Sequence, residues 1–511
     1  MVDGRVGSFL HRFKLFFLAL GRLIDFQMKN KKSLASTSRR DFIKKSLAAS
    51  TIMIVPRHVL GGTGFTAPSD QLTIASIGSG GKGRSDIINA SVGGRERVIA
   101  LCDIDPFGKH GVTEARKAFP KANFYSDFRE LLTKEKGLDA VTISTPDHTH
   151  ANIAMAAMER DIHVYVQKPL THNIKEARML TEAARDRRIV TQMGNQGASN
   201  PAQVQVQKWI DAGEIGNVHT VKVWTNRPVW PQGIPKPLPD PENKPEGLAW
   251  DLWLGPAKST PYSSSMHPFN WRGWWEYGTG ALGDMGCHLI DVPFRALGLN
   301  YPTAVESSLG SVYKQMWTPE HLPEGCPPSS FVSIKFDATE LNASPLTMEW
   351  SDGGIRPAHP DLIPADDFLG SPGNANGVIM MGDKGIITTG VYGYDPRLYK
   401  KGEEVVTFDQ PKEIEAEHGH HRKWIDAIKA GFNSPEHKAL TSSFDYSGPL
   451  TETVLMGNIA LRSYLLRKES DRRFDYYGRK KLLWDGNAMQ ITNLNEANQF
   501  VGRTYRKGWE L

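Results

Sequence analysis

From Leu72 onward, short apolar runs alternate with stretches of helical periodicity. Apolar runs at 72–77, 97–102, 139–144, 162–166 and 189–193 predict strands. Between them, 82–91, 106–118, 127–134, 148–160 and 173–187 predict helices. Such alternation predicts an α/β domain, a doubly wound parallel sheet with helices on both faces. Within the fourth helix, Ile153, Ala154, Ala157 and Met158 form an apolar stripe that reads as core. After Met193 the pattern changes. A helix near 201–212 precedes a long alternating strand at 217–226, and the Pro-rich stretch 228–245 reads as an irregular loop or lid. Val305–Tyr313, Phe331–Phe336 and Leu346–Trp350 alternate like strands of one sheet, and 421–430 and 447–466 read as helices. This divides the chain into a leader and linker at 1–70, a first domain at 71–194, a second at 195–470, and a polar tail at 471–511 expected to pack on a domain. No internal repeat is visible.

The first strand runs into Gly78-Ser79-Gly80-Gly81-Lys82-Gly83 and then a helix start. This is G-x-G-x-x-G on strand–turn–helix, the dinucleotide fingerprint. Gly78 permits the tight turn, Gly80 lets backbone approach a pyrophosphate, and Gly83 lets the helix pack closely on the strand. The second strand ends at Asp103, about 20 residues beyond the last glycine, where a ribose-binding acid is expected. Ile104 supplies no arginine for a 2′-phosphate, so NAD is expected over NADP.

Charge and cysteine content narrow the setting. Residues 1–45 hold eleven Lys/Arg against three Asp/Glu, a net +8, which leaves −3 for the rest of a chain totalling +5. A mildly acidic body without a basic stripe argues against nucleic-acid binding. Cys102, Cys287 and Cys326 form neither a disulfide framework nor a C-x-x-C pair. Ser38-Arg39-Arg40-Asp41-Phe42-Ile43-Lys44, followed by the modestly apolar Ser46–Val55, matches a twin-arginine export signal; a basic amphipathic helix is the alternative. The segment before Met28 reads as an overextended gene start or, alternatively, a membrane anchor. Periplasmic localisation and engagement of the twin-arginine machinery are therefore expected. That route moves folded proteins into a compartment not expected to supply nicotinamide cofactor, so the cofactor should be held tightly and regenerated in place.

Ligands of open α/β sheets bind beyond the carboxyl ends of the strands. Two such ends carry chemistry: Thr145-Pro146-Asp147-His148-Thr149-His150 and Gln167-Lys168-Pro169. An exposed helix N-terminus is the alternative for either histidine. Further on, Gly280–Asp291 enters a helix on which Asp284 and His288 share a face, with Asp291 a turn beyond. A carboxylate one turn from a histidine can orient the ring, and a capping Asp with a packed His is the alternative. Oxidation of an alcohol needs a base for the hydroxyl proton. Glu417-His418-Gly419-His420-His421 suggests a metal at first sight. Without a Cys or acidic partner at ligand spacing, it reads as a helix start with solvated histidines, and no metal site is expected.

In order, G-x-G-x-x-G, the acid after the second strand, T-P-x-x-x-H, K-P after the fifth strand and G-x-x-x-D-x-G-x-H-x-x-D resemble the Gfo/Idh/MocA oxidoreductases over Leu72–Leu299. The resemblance implies a Rossmann domain plus an α/β domain with a large open-faced, mainly antiparallel sheet. It implies that Lys168, Asp284 and His288 correspond to the family's catalytic residues. The family's usual E-K-P is Gln167-Lys168-Pro169 here. Residues expected at the cofactor are Gly78, Ser79, Gly80, Gly83, Asp103, Thr145, Pro146, His150 and Lys168. Asn195, Trp271, Arg272 and Trp274 are expected at the substrate, with buried core as the alternative for the tryptophans.

The expected reaction is hydride transfer between a sugar or polyol hydroxyl and bound NAD. His288 would take the proton, Lys168 would stabilise the alkoxide, and Asp284 would orient His288 or hold a neighbouring hydroxyl. Two alternatives stand beside it. One is a glycosidase that uses tightly bound NAD in an oxidation–elimination–reduction cycle. The other is a sugar-binding protein without turnover. A homo-oligomer is left open.

Overall fold

The computed structural model describes residues 70–108, 111–233, 243–371, 373, 375–409, 416–470 and 473–511. The leader, with its twin-arginine pattern, lies outside the described residues. Among those described, no helix is long and apolar enough to cross a membrane.

The first sheet has six parallel strands: β1 (Thr73–Ile77), β2 (Arg97–Cys102), β3 (Asn123–Tyr125), β4 (Ala140–Ile143), β5 (His163–Val166) and β6 (Thr191–Met193). Their order is β3-β2-β1-β4-β5-β6, with the chain reversing direction of travel between β1 and β4. All five residues of β1 are buried, as expected for a strand covered on both faces. The covering helices are α1 (Gly81–Ala90), α2 (Thr113–Ala118), α3 (Phe128–Lys134), α4 (His150–Met158) and α5 (Ile174–Asp186). Asn173 caps α5 by accepting the Glu176 N–H at 3.0 Å. Next comes α6 (Pro201–Asp211), begun by the Asn200 cap and a proline in its first turn.

The second sheet starts with β7 (Val218–Thr225) and β8 (Ala304–Leu309). After a small hairpin, β9 (Tyr313–Gln315) with β10 (Thr318–Pro319), it gains β11 (Ser330–Phe336), β12 (Leu346–Ser351), β13 (Asn376–Gly382), β14 (Gly385–Thr389), β15 (Arg397–Lys400) and β16 (Val406–Thr407). A second hairpin pairs β17 (Lys468–Ser470) with β18 (Arg473–Asp475), and β19 (Leu482–Asp485) and β20 (Gln490–Ile491) complete the sheet. The ten strands run β16-β15-β14-β13-β7-β12-β11-β8-β19-β20. Only β7 and β12 pair in parallel. The helices of this half are α7 (Trp250–Leu254), α8 (Gly280–Leu289), α9 (Asp291–Ala296), α10 (Ala416–Ala430), α11 (Pro435–Lys438) and α12 (Phe444–Tyr464). Sixteen of the 21 residues of α12 are buried, and it packs on α5, α8, β8 and β11.

Several expectations are corrected. The helix expected at 106–118 forms only from Thr113, because the Asp105 carboxylate takes the Gly108 N–H at 2.7 Å and ties the preceding residues into a turn. The edge strand β3 was not expected, being three residues of weak pattern. The strand expected at 305–313 stops at Leu309, before Gly310 and the hairpin. The helix around the histidine cluster exists, but His420 and His421 are fully buried rather than solvated. The tail does more than wrap one domain. β19 pairs with β8 in the large sheet, while the last residues run over the first sheet's helices.

The glycine turn offers a direct check on this packing. A Cβ on Gly83 would stand 1.7 Å from the Gly78 carbonyl oxygen, whereas one on Gly81, at φ +49°, meets nothing within 4 Å. Gly83→Ala is expected to cost more than ~3 kcal/mol or to abolish soluble expression. Gly81→Ala should cost about 1 kcal/mol of backbone strain. Urea unfolding of both variants makes the comparison, and equal stability would contradict the packing described.

Candidate functional site

The loops at the carboxyl ends of the first sheet open on a cavity of about 700 Å³, closed on its other side by the second domain. At one end Gly78, at φ +76°, turns the chain, and the Gly78 and Ser79 N–H groups both donate to Cys102 O. Gly80, Gly81 and Lys82 border the cavity at the start of α1, whose first N–H groups have no helical acceptor and so favour an anion. Asp103 stands at the end of β2, accepting from Gly80 N at 2.7 Å and Asp105 N at 2.9 Å. Burial pushes its carboxyl up to about 6, against those two N–H bonds. Thr145 and Pro146 border the same space. An open glycine turn, a helix start and a carboxylate at the end of β2 fit a dinucleotide.

At the other end, Lys168 reaches across from the end of β5 to α8. Its Nζ donates to Asp284 Oδ1 at 2.9 Å and to the Asp284 carbonyl at 2.7 Å. Burial alone would raise the Asp284 carboxyl. The Lys168 and Arg272 cations outweigh it and hold the carboxyl down to about 2. His288, one turn on, borders the cavity and meets Tyr392 edge to face, 4.7 Å between ring centres. Its Nδ1 is buried with no hydrogen-bond partner among the described residues. Burial, reinforced by the Lys168 charge, holds its pKa well below the ordinary imidazole value. The ring is therefore neutral at physiological pH and able to accept a proton. Asp147 also borders the cavity; burial raises its pKa, and its carboxylate accepts from Thr279 Oγ1 at 2.6 Å.

Gln167 belongs to a buried network beneath the glycine turn. Asp86, on α1, is fully buried and accepts from Gln167 Nε2 at 2.9 Å and Ser144 Oγ at 2.7 Å. Its other oxygen lies 3.1 Å from His421 Nε2 and 3.2 Å from Lys82 Nζ. Burial works to raise this carboxyl, but the His421 bond and the Lys82 charge hold it below its ordinary value. The network pins α1, the ends of β4 and β5, and α10 to one another. A glutamate at 167 would turn a carboxylate toward Asp86, where the amide donates.

Gly78, Gly80, Asp103, Thr145, Pro146, Lys168, Trp271, Arg272, Asp284 and His288 all border the cavity. Five expected residues do not. Ser79 Oγ is buried on Ser76 O and Cys102 O, and Gly83 is consumed by helix–strand contact. His150 is buried between Pro169 O and Thr145 O, 2.8 Å from each, so it ties the two loops together rather than facing the cavity. Asn195 is buried with neither side-chain polar atom partnered, and Trp274 is buried in an aromatic cluster with Trp253 and Tyr277. His148 is not at an exposed helix end either. Its ring nitrogens lie 3.1 Å from Tyr277 O and 2.8 Å from Trp253 O, and burial lowers its pKa to about 3.

Asp284 bonds Lys168, not His288, so it does not orient the imidazole. Asp291 leaves the α8 face because the helix ends at Leu289; it begins α9 and bonds Arg295 and Tyr446 instead. Sequence reasoning missed Arg227, Trp230, Phe269 and Tyr392, which also border the cavity. They stand in loops, and no spacing pattern announces them.

Residues 72–195 match the oxidoreductase family model described as the NAD-binding Rossmann fold, and residues 204–307 match that family's C-terminal alpha/beta domain. The chain carries the two domains of the Gfo/Idh/MocA oxidoreductase family. Among curated relatives, it is 27% identical over 208 residues to levoglucosan dehydrogenase of Pseudarthrobacter phenanthrenivorans, covering 40% of this chain and 43% of that one. It is 36% identical over 152 residues to a glycosyl hydrolase family 109 protein of Solibacter usitatus, covering 27% and 34%. The chain thus spans less than half the length of these relatives. A solved levoglucosan dehydrogenase in complex with NADH and L-sorbose shares the fold, with TM-score 0.51 at 18% identity over 76% of this chain and 96% of that one.

The Asp86 network generates a stability prediction. Gln167→Glu should destabilise the fold by about 1–3 kcal/mol at neutral pH, because one buried carboxylate loses a donor and gains a like charge. The new pair would share a raised pKa, so the loss should shrink as pH falls and a proton bridges the two. Adding Asp86→Asn should recover part of it. Urea midpoints at neutral and acid pH test this, and a midpoint equal to wild type at pH 7 would refute the role given to Gln167.

Proposed function

We propose that this protein is an NAD-dependent oxidoreductase that oxidises a hydroxyl of a sugar or polyol. One observation carries the reading: a dinucleotide turn and the Lys168–Asp284–His288 group border the same cavity. Gly80, Gly81 and Lys82 would hold the pyrophosphate and Asp103 the ribose, which favours NAD over NADP. The bound nicotinamide supplies a hydride acceptor. His288, neutral before reaction, takes the hydroxyl proton. Lys168 donates to the same oxygen and stabilises its developing negative charge. Asp284 fixes the ammonium and so aims it.

A second reading is favoured by the similarity to the Solibacter usitatus glycosyl hydrolase family 109 protein. It is a glycosidase in which bound NAD is reduced and reoxidised within one turnover. Net NADH formation separates the two. Both readings accommodate a retained cofactor, and the chain's end supports retention. Trp509 borders the dinucleotide end of the cavity, its carbonyl accepts from Asn152 Nδ2 at 2.5 Å, and Arg129 stacks on its ring at 4.6 Å. Arg503 pairs with Glu176 at 2.9 Å, and Arg506 donates to the Gly255 and Asp251 carbonyls at 2.8 Å each. The tail thereby straps α4, α5 and α7 together beside the cavity.

His288→Ala and Lys168→Ala should each lower turnover by ~10²–10⁴-fold. In the wild type, the acid limb of kcat/KM should lie below the ordinary imidazole pKa of about 6.5, because the lowered pKa keeps His288 a competent base down to that pH. A limb at or above that value, or near wild-type rates in either variant, would remove the residue from the mechanism.

Protein recovered from the periplasm and dialysed extensively should still carry NAD, detected by mass spectrometry after denaturation, and Trp509→Ala should release it faster. Arg39→Lys with Arg40→Lys should abolish periplasmic recovery. An empty protein that needs millimolar NAD would mean an ordinary dissociable cofactor.

A further inference from the structure

We propose that the sugar bound here carries an oxyanion, a carboxylate or a phosphate ester, and that Arg227 and Arg272 hold it. The proposal rests on the sugar-hydroxyl reading above and names the substrate class of that site.

Three cations surround one carboxylate at the reaction end of the cavity. Lys168 takes Asp284 at hydrogen-bond distance. Arg272 Nε stands 3.5 Å from Asp284 Oδ1, and Arg227 Nε 3.9 Å from Oδ2. Both separations exceed the 2.7–2.9 Å typical of a charge-assisted N–H···O bond. Each guanidinium makes one further hydrogen bond. Arg227 Nη1 donates to Asn226 Oδ1 at 2.7 Å and Arg272 Nη1 to Phe269 O at 3.0 Å. Neither forms a two-pronged pair with a carboxylate among the described residues. Asp147, the other acid at this end, is engaged by Thr279. The positive charge is therefore in surplus where the substrate must sit.

The donor chemistry identifies what fills it. A neutral sugar offers hydroxyls that both donate and accept, and is matched by a mixture of donors and acceptors. Guanidinium groups only donate. Two of them converging on one cavity wall match a group that only accepts, and their planar forks suit an oxyanion. Arg272 is also held in place. Its guanidinium lies 4.2 Å from the ring centre of Trp271 and 4.4 Å from that of Phe269. Such stacking fixes the fork before a ligand arrives. Trp230 and the half-exposed Phe269 continue this wall and offer an apolar surface to the C–H face of a sugar ring.

The test compares acid and neutral sugars of matched stereochemistry on the full chain with its cofactor. The pairs are glucuronate with glucose, galacturonate with galactose, and glucose 6-phosphate with glucose. Calorimetric binding and nicotinamide reduction are both read. At least one acid should exceed its neutral counterpart by roughly 10–100-fold in affinity. That preference should fall with added salt and collapse in Arg227→Gln and Arg272→Gln. A preference for the uronates assigns the site to a carboxylate, and one for glucose 6-phosphate assigns it to a phosphate ester. The proposal is overturned if no acid binds at millimolar concentration, if neutral sugars bind as well, or if the preference survives in both variants. Should Arg272→Gln fail to fold, Arg227→Gln, on a partly exposed loop, carries the comparison alone. The two readings fail differently. Tight acid binding without turnover sinks the oxidoreductase and leaves this site standing. Turnover of neutral sugars without acid preference does the reverse.

Discussion

Lys168 closes β5 of the parallel sheet, and Asp284 rides on α8 of the second domain; their 2.9 Å contact is made across the cavity wall. Both side chains are largely removed from water, at 17% and 15% exposure. Desolvating two charges offsets much of their attraction, so the pair is weak evidence for stability. What it does is geometric. Losing Asp284 would leave the Lys168 ammonium without its counter-charge, so the contact favours the domain arrangement that keeps the two together. Arg227, Arg272 and His288 take their places around that contact. The lowered pKa of Asp284 follows from the Lys168 and Arg272 cations beside it, and burial, reinforced by the same ammonium, keeps His288 neutral.

A second buried carboxylate holds the floor of the site. Asp86 lies in the helix that follows the glycine turn, and four side chains converge on it from β4, β5, α10 and α1 itself. An unpaired charge there would be prohibitive. Each donor is consequently constrained by the others, and the phosphate-binding end and the lysine loop are mechanically joined. Tyr165 stacks on His421 at 4.4 Å between centres and holds that ring in place. His421 of α10, expected in a solvated helix start, is instead part of the support for the dinucleotide turn.

Much of the first domain was legible because its signals are local. β1, β2, β4 and β5 are mostly apolar runs of the length a doubly covered strand needs, and glycine needs at Gly78 and Gly83 follow from a turn and a close approach only glycine tolerates. The acid at the end of β2 and the lysine at the end of β5 follow from position in such a sheet. Where legibility failed, the deciding contact was distant in sequence. His150 and Ser79 face carbonyls rather than the cavity, and Asn195 and Trp274 are buried beside it. A residue's address along a strand or helix gives its neighbourhood, while the direction of its side chain depends on what packs against it.

The chain by itself therefore determined the order of elements, the parallel sheet and the identity of Lys168, Asp284 and His288 as residues of interest, because strand length, glycine spacing and helical register act over a few residues. Tertiary structure alone decided which groups meet. Asp284 serves Lys168 rather than His288 because β5 delivers an ammonium to it from 116 residues away. Gln167 donates to Asp86, 81 residues earlier, because folding brings the end of β5 against α1. Arg227 and Arg272 come to one wall from separate loops, and no periodicity records that encounter. Such contacts are set by the packing of two domains, and the free energy that selects them is summed over the whole interface rather than written at any one position.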